Sequence, residues 1–96
     1  MSDKANSLQT ILIDIKTELT NQILSGSNDG KNIDTGKLAL QSKILSDTVI
    51  ESNLSDKNKK MMQAFVLTLI QDNTTVRSLR YEKQDLERVM SNLNDS

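Results

Sequence analysis

The fold of this chain is decided by residues 62–93, which read MQAFVLTLIQDNTTVRSLRYEKQDLERVMSNL. Steps of three and four residues alternate through this stretch, and eight of the ten positions that they mark are apolar. These positions are Met62, Phe65, Leu69, Asp72, Val76, Leu79, Lys83, Leu86, Met90 and Leu93. Such a heptad is typical of an amphipathic helix whose apolar stripe packs against another helix. The pattern predicts one long C-terminal helix over about residues 56–92.

A second amphipathic pattern lies near the N-terminus and predicts a helix over about residues 7–24. Asn6 or Ser7 is available as its N-cap, and Gly26 lies just beyond its predicted end. Residues 25–36 are rich in Gly, Ser, Asn and Asp and nearly free of apolar side chains. This composition predicts a flexible loop.

The middle of the chain predicts another helix over about residues 37–52. Its apolar stripe is broad rather than sharp, which is typical of a helix buried on two sides. Ser55 is a candidate N-cap for the C-terminal helix, although the preceding linker has neither glycine nor proline. One continuous helix from Thr35 onward therefore remains an alternative.

The composition of the chain favours helices joined by polar loops. Its 96 residues include no proline, three glycines and only two aromatic residues, so aliphatic side chains must form the core. A chain of this length forms one domain at most. We expect an all-α fold: a small antiparallel three-helix bundle spanning residues 1–96, with a long C-terminal amphipathic helix.

Several functional classes are disfavoured by the residues that are missing. The chain has no His and no Cys, so the commonest catalytic base and the thiolate metal ligands are absent. We expect no enzyme activity, no catalytic residues, no metal and no cofactor. No stretch is long and apolar enough to span a bilayer, no secretory signal is evident, and a cytoplasmic location is expected.

The charges of the chain are nearly balanced, with 12 basic and 13 acidic residues. A dedicated nucleic-acid-binding protein usually has a larger basic excess. Lys57, Lys59 and Lys60 form a small basic cluster, which is more typical of solvated surface than of a phosphate-binding track. Nucleic acid is therefore not the expected partner.

The predicted helices differ in length, and this difference points to a binding surface. A helix over residues 56–92 extends about 55 Å, whereas each of the two shorter helices extends about 27 Å. The second half of the long helix would then be uncovered. The predicted partner-binding residues are Val76, Leu79, Leu86, Val89, Met90 and Leu93. The alternative is that this stripe is internal, with the first helix docked against the far end.

The C-terminal segment also carries polar residues within and around its stripe. Asp72 and Lys83 occupy seam positions, where polar insertions fix register in coiled coils or reach solvent at the edge of a bundle. A mixed charge run surrounds them and predicts a solvated face with local ion pairs. Its members are Arg77, Arg80, Glu82, Lys83, Asp85, Glu87 and Arg88.

The C-terminal segment resembles the flagellar export chaperones of the FliT and FlgN kind over about residues 57–93. The resemblance is carried by Leu69-Ile70-Gln71-Asp72-Asn73, which leads into Val76, Leu79, Leu86 and Met90. It implies a cytoplasmic chaperone of a flagellar or type III secretion system that covers the helix-forming terminal segment of a subunit. The client contacts that it implies are Val76, Leu79, Leu86, Val89 and Met90.

Three functional hypotheses follow from the sequence. The first is a non-enzymatic chaperone or adaptor that binds a client helix on the C-terminal helix. The second is a homo-oligomeric coiled-coil protein that self-associates through the same stripe, and a homodimer is the expected state. The third is a small phage or plasmid accessory protein that contacts nucleic acid through its lysine cluster and the C-terminal arginines.

Overall fold

The computed structural model of the chain describes residues 2–29, 33–71 and 75–94, with side chains at 8–26, 33–71 and 75–93. This described part contains four α-helices and no strand. The helices are α1 (Ser2–Asp29), α2 (Thr35–Glu51), α3 (Asp56–Gln71) and α4 (Val76–Asn94). The all-α prediction is confirmed, whereas the prediction of three helices is wrong.

The helix predicted over residues 56–92 is divided into two helices, with α3 ending at Gln71 and α4 beginning at Val76. Thr75 is the N-cap of α4, because its Oγ1 accepts a hydrogen bond from the Ser78 N–H at 3.0 Å. Its carbonyl also accepts from the Leu79 N–H at 3.0 Å. Satisfying these N–H groups stabilises a helix start. The predicted seam residue Asp72 lies outside the described residues.

The first helix is longer than predicted, since α1 runs from Ser2 to Asp29 and passes through Gly26. The loop predicted over residues 25–36 is therefore helical at its start, and residues 30–32 of it lie outside the described part. Asp34 caps the next helix, with its Oδ1 accepting from the Lys37 N–H at 3.0 Å. As a result α2 begins at Thr35, two residues before its predicted start.

Ser55 is the N-cap of α3 and determines where the chain, after the break that follows α2, becomes helical again. Its Oγ accepts a hydrogen bond from the Asn58 N–H at 3.2 Å, and its carbonyl accepts from the Lys59 N–H at 2.9 Å. The predicted N-cap is confirmed, and the alternative of one continuous helix from Thr35 is wrong. Leu54 packs against the core from the linker, so the turn is also anchored by an apolar contact.

The four helices form an up-and-down bundle in which each helix contacts its neighbours in sequence and α1 also contacts α4. Contacts between chain neighbours are antiparallel: Gln22 meets Asp34, Lys59 meets the Ile50 carbonyl, and Asn92 meets Met61. Short connections favour this arrangement. The Cα atoms span 43 × 19 × 19 Å.

The core lies along the axis of the bundle and receives side chains from all four helices. Its buried apolar residues are Leu8, Leu12, Ile15, Leu19, Leu38, Leu45, Val49, Met62, Phe65, Val66, Leu69, Leu79, Leu86 and Val89. On each helix most of them are three, four or seven residues apart, which places them on one face, and Val66 is next to Phe65 at the edge of that face. Each large apolar side chain buried in this way stabilises the fold by about 1.5–3 kcal/mol.

A polar network ties the start of α2 to α1. Gln22 Oε1 accepts from the Asp34 N–H at 2.7 Å, and Gln22 Nε2 donates to the Asp34 carbonyl at 3.2 Å and to Glu18 Oε2 at 2.7 Å. Lys37 Nζ completes the network with an ion pair to Glu18 Oε1 at 2.9 Å. These bonds fix the angle at which the chain enters α2.

The Glu18–Lys37 contact has a measurable electrostatic consequence. The hydrogen bond that Lys37 donates to Glu18, followed by the negative charge of Glu18, raises the pKa of Lys37 above its ordinary value of 10.5. We expect Glu18→Gln to lower this pKa, because the variant removes the charge that favours the protonated amine. The pKa is measured by following the Lys37 side-chain carbon and nitrogen resonances by NMR as the pH rises.

The raised pKa of Lys37 determines in which direction the stability of the fold changes with pH. Because the pKa of Lys37 is raised in the folded state, the pair stabilises the fold below pH 10.5, and this contribution is lost as the pH rises through the folded-state value. Glu87→Gln is the matched control, since Glu87 is 3.9 Å from Lys16 on another side of the bundle. An unchanged Lys37 pKa in Glu18→Gln would contradict the assignment.

Candidate protein-binding surface

Of the six residues predicted to bind a partner, all but Val76 lie in the core or pack against it. Leu79, Leu86 and Val89 are 0% exposed, while Val76, Met90 and Leu93 are partly buried. The expectation of an uncovered C-terminal stripe is wrong, because the break before Val76 folds α4 back along α1 and α3. The client contacts implied by the resemblance include three side chains that a partner cannot reach in this fold.

The buried stripe of α4 is also rotated by one residue from the predicted seam. Glu82 is 0% exposed, whereas the predicted seam residue Lys83 is only partly buried. The buried positions are thus Leu79, Glu82, Leu86 and Val89. Assigning Glu82 to a solvated charge face is wrong. Elsewhere on this face local ion pairing is present, with Arg88 Nη2 2.6 Å from Asp85 Oδ1.

The large apolar side chains that remain exposed are concentrated on α2 and α3. The exposed set in the described part is Ile13, Leu24, Leu40, Ile44, Ile50, Leu67, Ile70 and Tyr81. Five of these eight belong to α2 or α3. The prediction that the second helix is buried on two sides is therefore wrong. Its broad apolar stripe instead combines a core face with an exposed apolar face.

A groove runs between α2 and α3, and we call it the α2–α3 groove. It has a volume of about 450 Å³. Its lining residues are Ser42, Lys43, Ser46, Asp47, Gln63, Val66, Leu67 and Ile70. The groove exists because Ser42 and Ser46 are small side chains at the contact between the two helices, so they leave space beside Val66 and Leu67.

The chemistry of the groove is mainly apolar, with a charged rim. The buried Ser42 hydroxyl donates to the Leu38 carbonyl at 2.8 Å, so its proton is used within α2. Leu67 and Ile70 supply exposed apolar walls, and Lys43 and Asp47 supply one positive and one negative charge at the rim. Such a surface suits apolar side chains of another protein better than a polar ligand.

Two smaller clefts lie elsewhere on the bundle. One of about 70 Å³ lies between α1 and α2 beside Ile11 and Ile44, and one of about 180 Å³ lies along α4 beside Tyr81 and Arg88. The α4 cleft is lined from a single helix and therefore offers no groove between elements. The α2–α3 groove is larger than either cleft, and it is the one of the three that has two exposed aliphatic side chains, Leu67 and Ile70, in its lining.

The predicted lysine cluster is used in part by the fold. Lys59 Nζ donates to the Ile50 carbonyl at 3.4 Å, which neutralises the C-terminal end of α2. Lys57 and Lys60 are exposed at the start of α3. Within the described residues no three acidic side chains come together as a metal site. No helix in the described ranges combines the length and apolar content needed to cross a bilayer.

Comparisons with known proteins identify no relative of this chain. The chain matches no protein-family model, and no curated protein or solved structure is significantly similar to it. The resemblance to flagellar export chaperones thus stays a prediction. The α2–α3 groove is the surface that sequence reasoning missed, and the breadth of the apolar pattern in α2 was the signal that pointed to it.

Proposed function

We propose that this protein is a non-enzymatic binding module that holds an apolar helical segment of another protein chain on the α2–α3 groove. The observation that carries the proposal is this groove, whose wall residues Leu67 and Ile70 are 58% and 48% exposed. Leu40 and Ile50, which are 61% and 60% exposed on α2, do not line the groove but share the outer side of α2 with its rim residues Lys43 and Asp47. We call the groove together with this outer side of α2 the α2–α3 face. Clusters of exposed aliphatic residues of this kind mark interaction surfaces.

The energetic argument compares exposed and covered states of these side chains. A large aliphatic side chain left in water forfeits about 1.5–3 kcal/mol relative to full burial. The bundle already buries one stripe from each helix, so the α2–α3 face is not needed for its own core. A partner that covers this face gains affinity without disturbing the fold.

The recognition mode that fits is an amphipathic helix lying in a groove between two helices. An export-chaperone or adaptor role in the cytoplasm, as the resemblance implies, is one version of this proposal. In that version the client helix lies on α2 and α3 rather than on the C-terminal helix. Leu67 and Ile70 are then the contact residues, in place of Leu79 and Leu86.

Photo-crosslinking tests the proposal directly. With p-benzoylphenylalanine in place of Leu67, we expect a cross-linked protein adduct in cells that express the chain. Leu67→Asp is expected to reduce capture of the same partner by at least about tenfold, because it places a charge in an apolar contact. Helicity is expected to be unchanged, since Leu67 lies on the surface.

Tyr81 provides the matched control. It is 63% exposed on α4, the helix diagonal to α2, and it is also a large side chain. The crosslinker at position 81 is expected to give no adduct, and Tyr81→Asp is expected to leave capture unchanged. Equal adducts from both positions would show that the α2–α3 groove has no special role.

A further inference from the structure

The outer face of α2 carries a self-complementary pattern of side chains. Leu40, Lys43, Asp47 and Ile50 are all exposed and are separated by steps of three, four and three residues. At about 100° per residue these steps keep the four side chains within an arc of about 80°. They form a single stripe with an aliphatic side chain at each end and two opposite charges between them.

The pattern is symmetric about the level of Leu45. Positions 40 and 50 are equally far from this level, and so are positions 43 and 47. When a second α2 runs antiparallel across this face, Leu40 faces Ile50 of the partner subunit, and Lys43 faces Asp47 of the partner subunit. A parallel arrangement would instead place Lys43 against its own copy. The charges therefore select the antiparallel arrangement.

Neither charge forms an ion pair within the described part of the monomer. The ion pairs there include Lys16 with Glu87, Lys37 with Glu18, and Arg88 with Asp85, and none involves Lys43 or Asp47. Lys43 and Asp47 therefore stand at the rim of the groove with no ion-pair partner among the described residues. An i to i+4 pair in this order, with the cation first, is also the less favourable orientation along a helix.

We infer that the α2–α3 face binds a second copy of this chain in a two-fold symmetric dimer with antiparallel α2 helices. This inference rests on the proposed function and names the partner. Leu67 and Ile70 extend the contact from α3, because they line the groove beside Lys43.

Sedimentation equilibrium over a range of concentrations at low salt tests the inference. Low salt is chosen because exposed charge pairs are screened by added ions. Wild type is expected to sediment as a species of twice the chain mass. Lys43→Asp and Asp47→Lys are each expected to raise the dissociation constant at least about tenfold, because each variant places like charges opposite one another twice in the dimer.

Mixing provides the decisive arm of the experiment. An equimolar mixture of the Lys43→Asp and Asp47→Lys chains is expected to recover the dimer, since every facing pair then carries opposite charges. The double variant with both changes in one chain is expected to dimerise by itself. Arg77→Asp on α4 is the matched charge-reversal control and is expected to leave the dimer intact. All variants are checked for unchanged helicity by circular dichroism.

Two results would overturn the inference. One is a wild-type chain that stays monomeric up to about 100 μM, since a functional self-contact is tighter than this. The other is a dimer that neither charge reversal weakens, which would place the interface on another face. The crosslinker at position 67 separates this outcome from failure of the proposed function. If position 67 cross-links to a different protein, the proposed function stands and only the dimer is rejected. If position 67 gives no adduct, both the dimer and the proposed function are rejected.

Discussion

Replacing Leu79 and Leu86 together by aspartate is expected to unfold the protein. Both leucines are 0% exposed and lie in the shared core of the four helices. Loss of a buried leucine alone costs about 2–5 kcal/mol. A buried carboxylate without a compensating partner costs more. Two such changes exceed the stability of about 5–15 kcal/mol that a domain usually has.

Far-UV circular dichroism measures this outcome as a loss of helical signal. The control is the pair Leu40→Asp and Leu67→Asp, which makes the same chemical change at two exposed positions. This pair is expected to retain the helical signal. A fully helical Leu79→Asp/Leu86→Asp variant would show that the stripe of α4 is not core, and it would restore the C-terminal helix as a contact surface.

Phe65→Ala is expected to lower the free energy of unfolding by about 3–5 kcal/mol. Phe65 is 1% exposed on α3 and is the one phenylalanine of the chain. No other side chain in the core is as large, so truncation leaves a cavity that the aliphatic neighbours fill only in part. Urea denaturation followed by circular dichroism gives the free energy by linear extrapolation.

Two comparisons sharpen this prediction. Phe65→Leu keeps much of the volume and is expected to cost less than about 1.5 kcal/mol. Tyr81→Ala removes the one other aromatic side chain, which is exposed on α4, and is expected to change stability by no more than about 0.5 kcal/mol. Similar losses for Phe65→Ala and Tyr81→Ala would contradict the assignment of Phe65 to the core.

The helical class and most core positions follow from periodicity alone, because steps of three and four identify the apolar face of any helix. The cap at Ser55 was also predictable, since a serine before a periodic segment is a local signal. The break before Val76 was missed because the heptad continues across it. Both helices direct their stripes into the same core, so the period alone does not distinguish one straight helix from two folded ones. Thr75 was the local signal for the break.

The rotation of the α4 stripe required the tertiary structure. A helical stripe through Leu79 and Leu86 can include either Glu82 or Lys83 between them, since both choices give steps of three and four residues. The choice matters because adjacent residues point about 100° apart around a helix. Packing against α1 and α3 selects Glu82 and Val89. A charged residue in a core is rare enough that sequence reasoning assigns it to the surface.

The candidate binding surface was assigned to the wrong helix for a related reason. An apolar residue in an amphipathic pattern predicts a buried side chain, but the pattern does not indicate which apolar side chains stay exposed in the folded protein. On α2 the exposed Leu40 and Ile50 could be recognised only after Leu38, Leu45 and Val49 were seen to fill the core. The self-complementary order of Leu40, Lys43, Asp47 and Ile50 is visible in the sequence once their exposure is known.

Each helix of the bundle is held by two others, and the diagonal pairs α1–α3 and α2–α4 make no backbone contact in the described part. Detaching one helix therefore uncovers apolar side chains on both of its neighbours at once. Partly opened forms are penalised relative to both the intact bundle and the unfolded chain. We therefore expect the ring to couple the four helices into a single cooperative unit that melts in one transition.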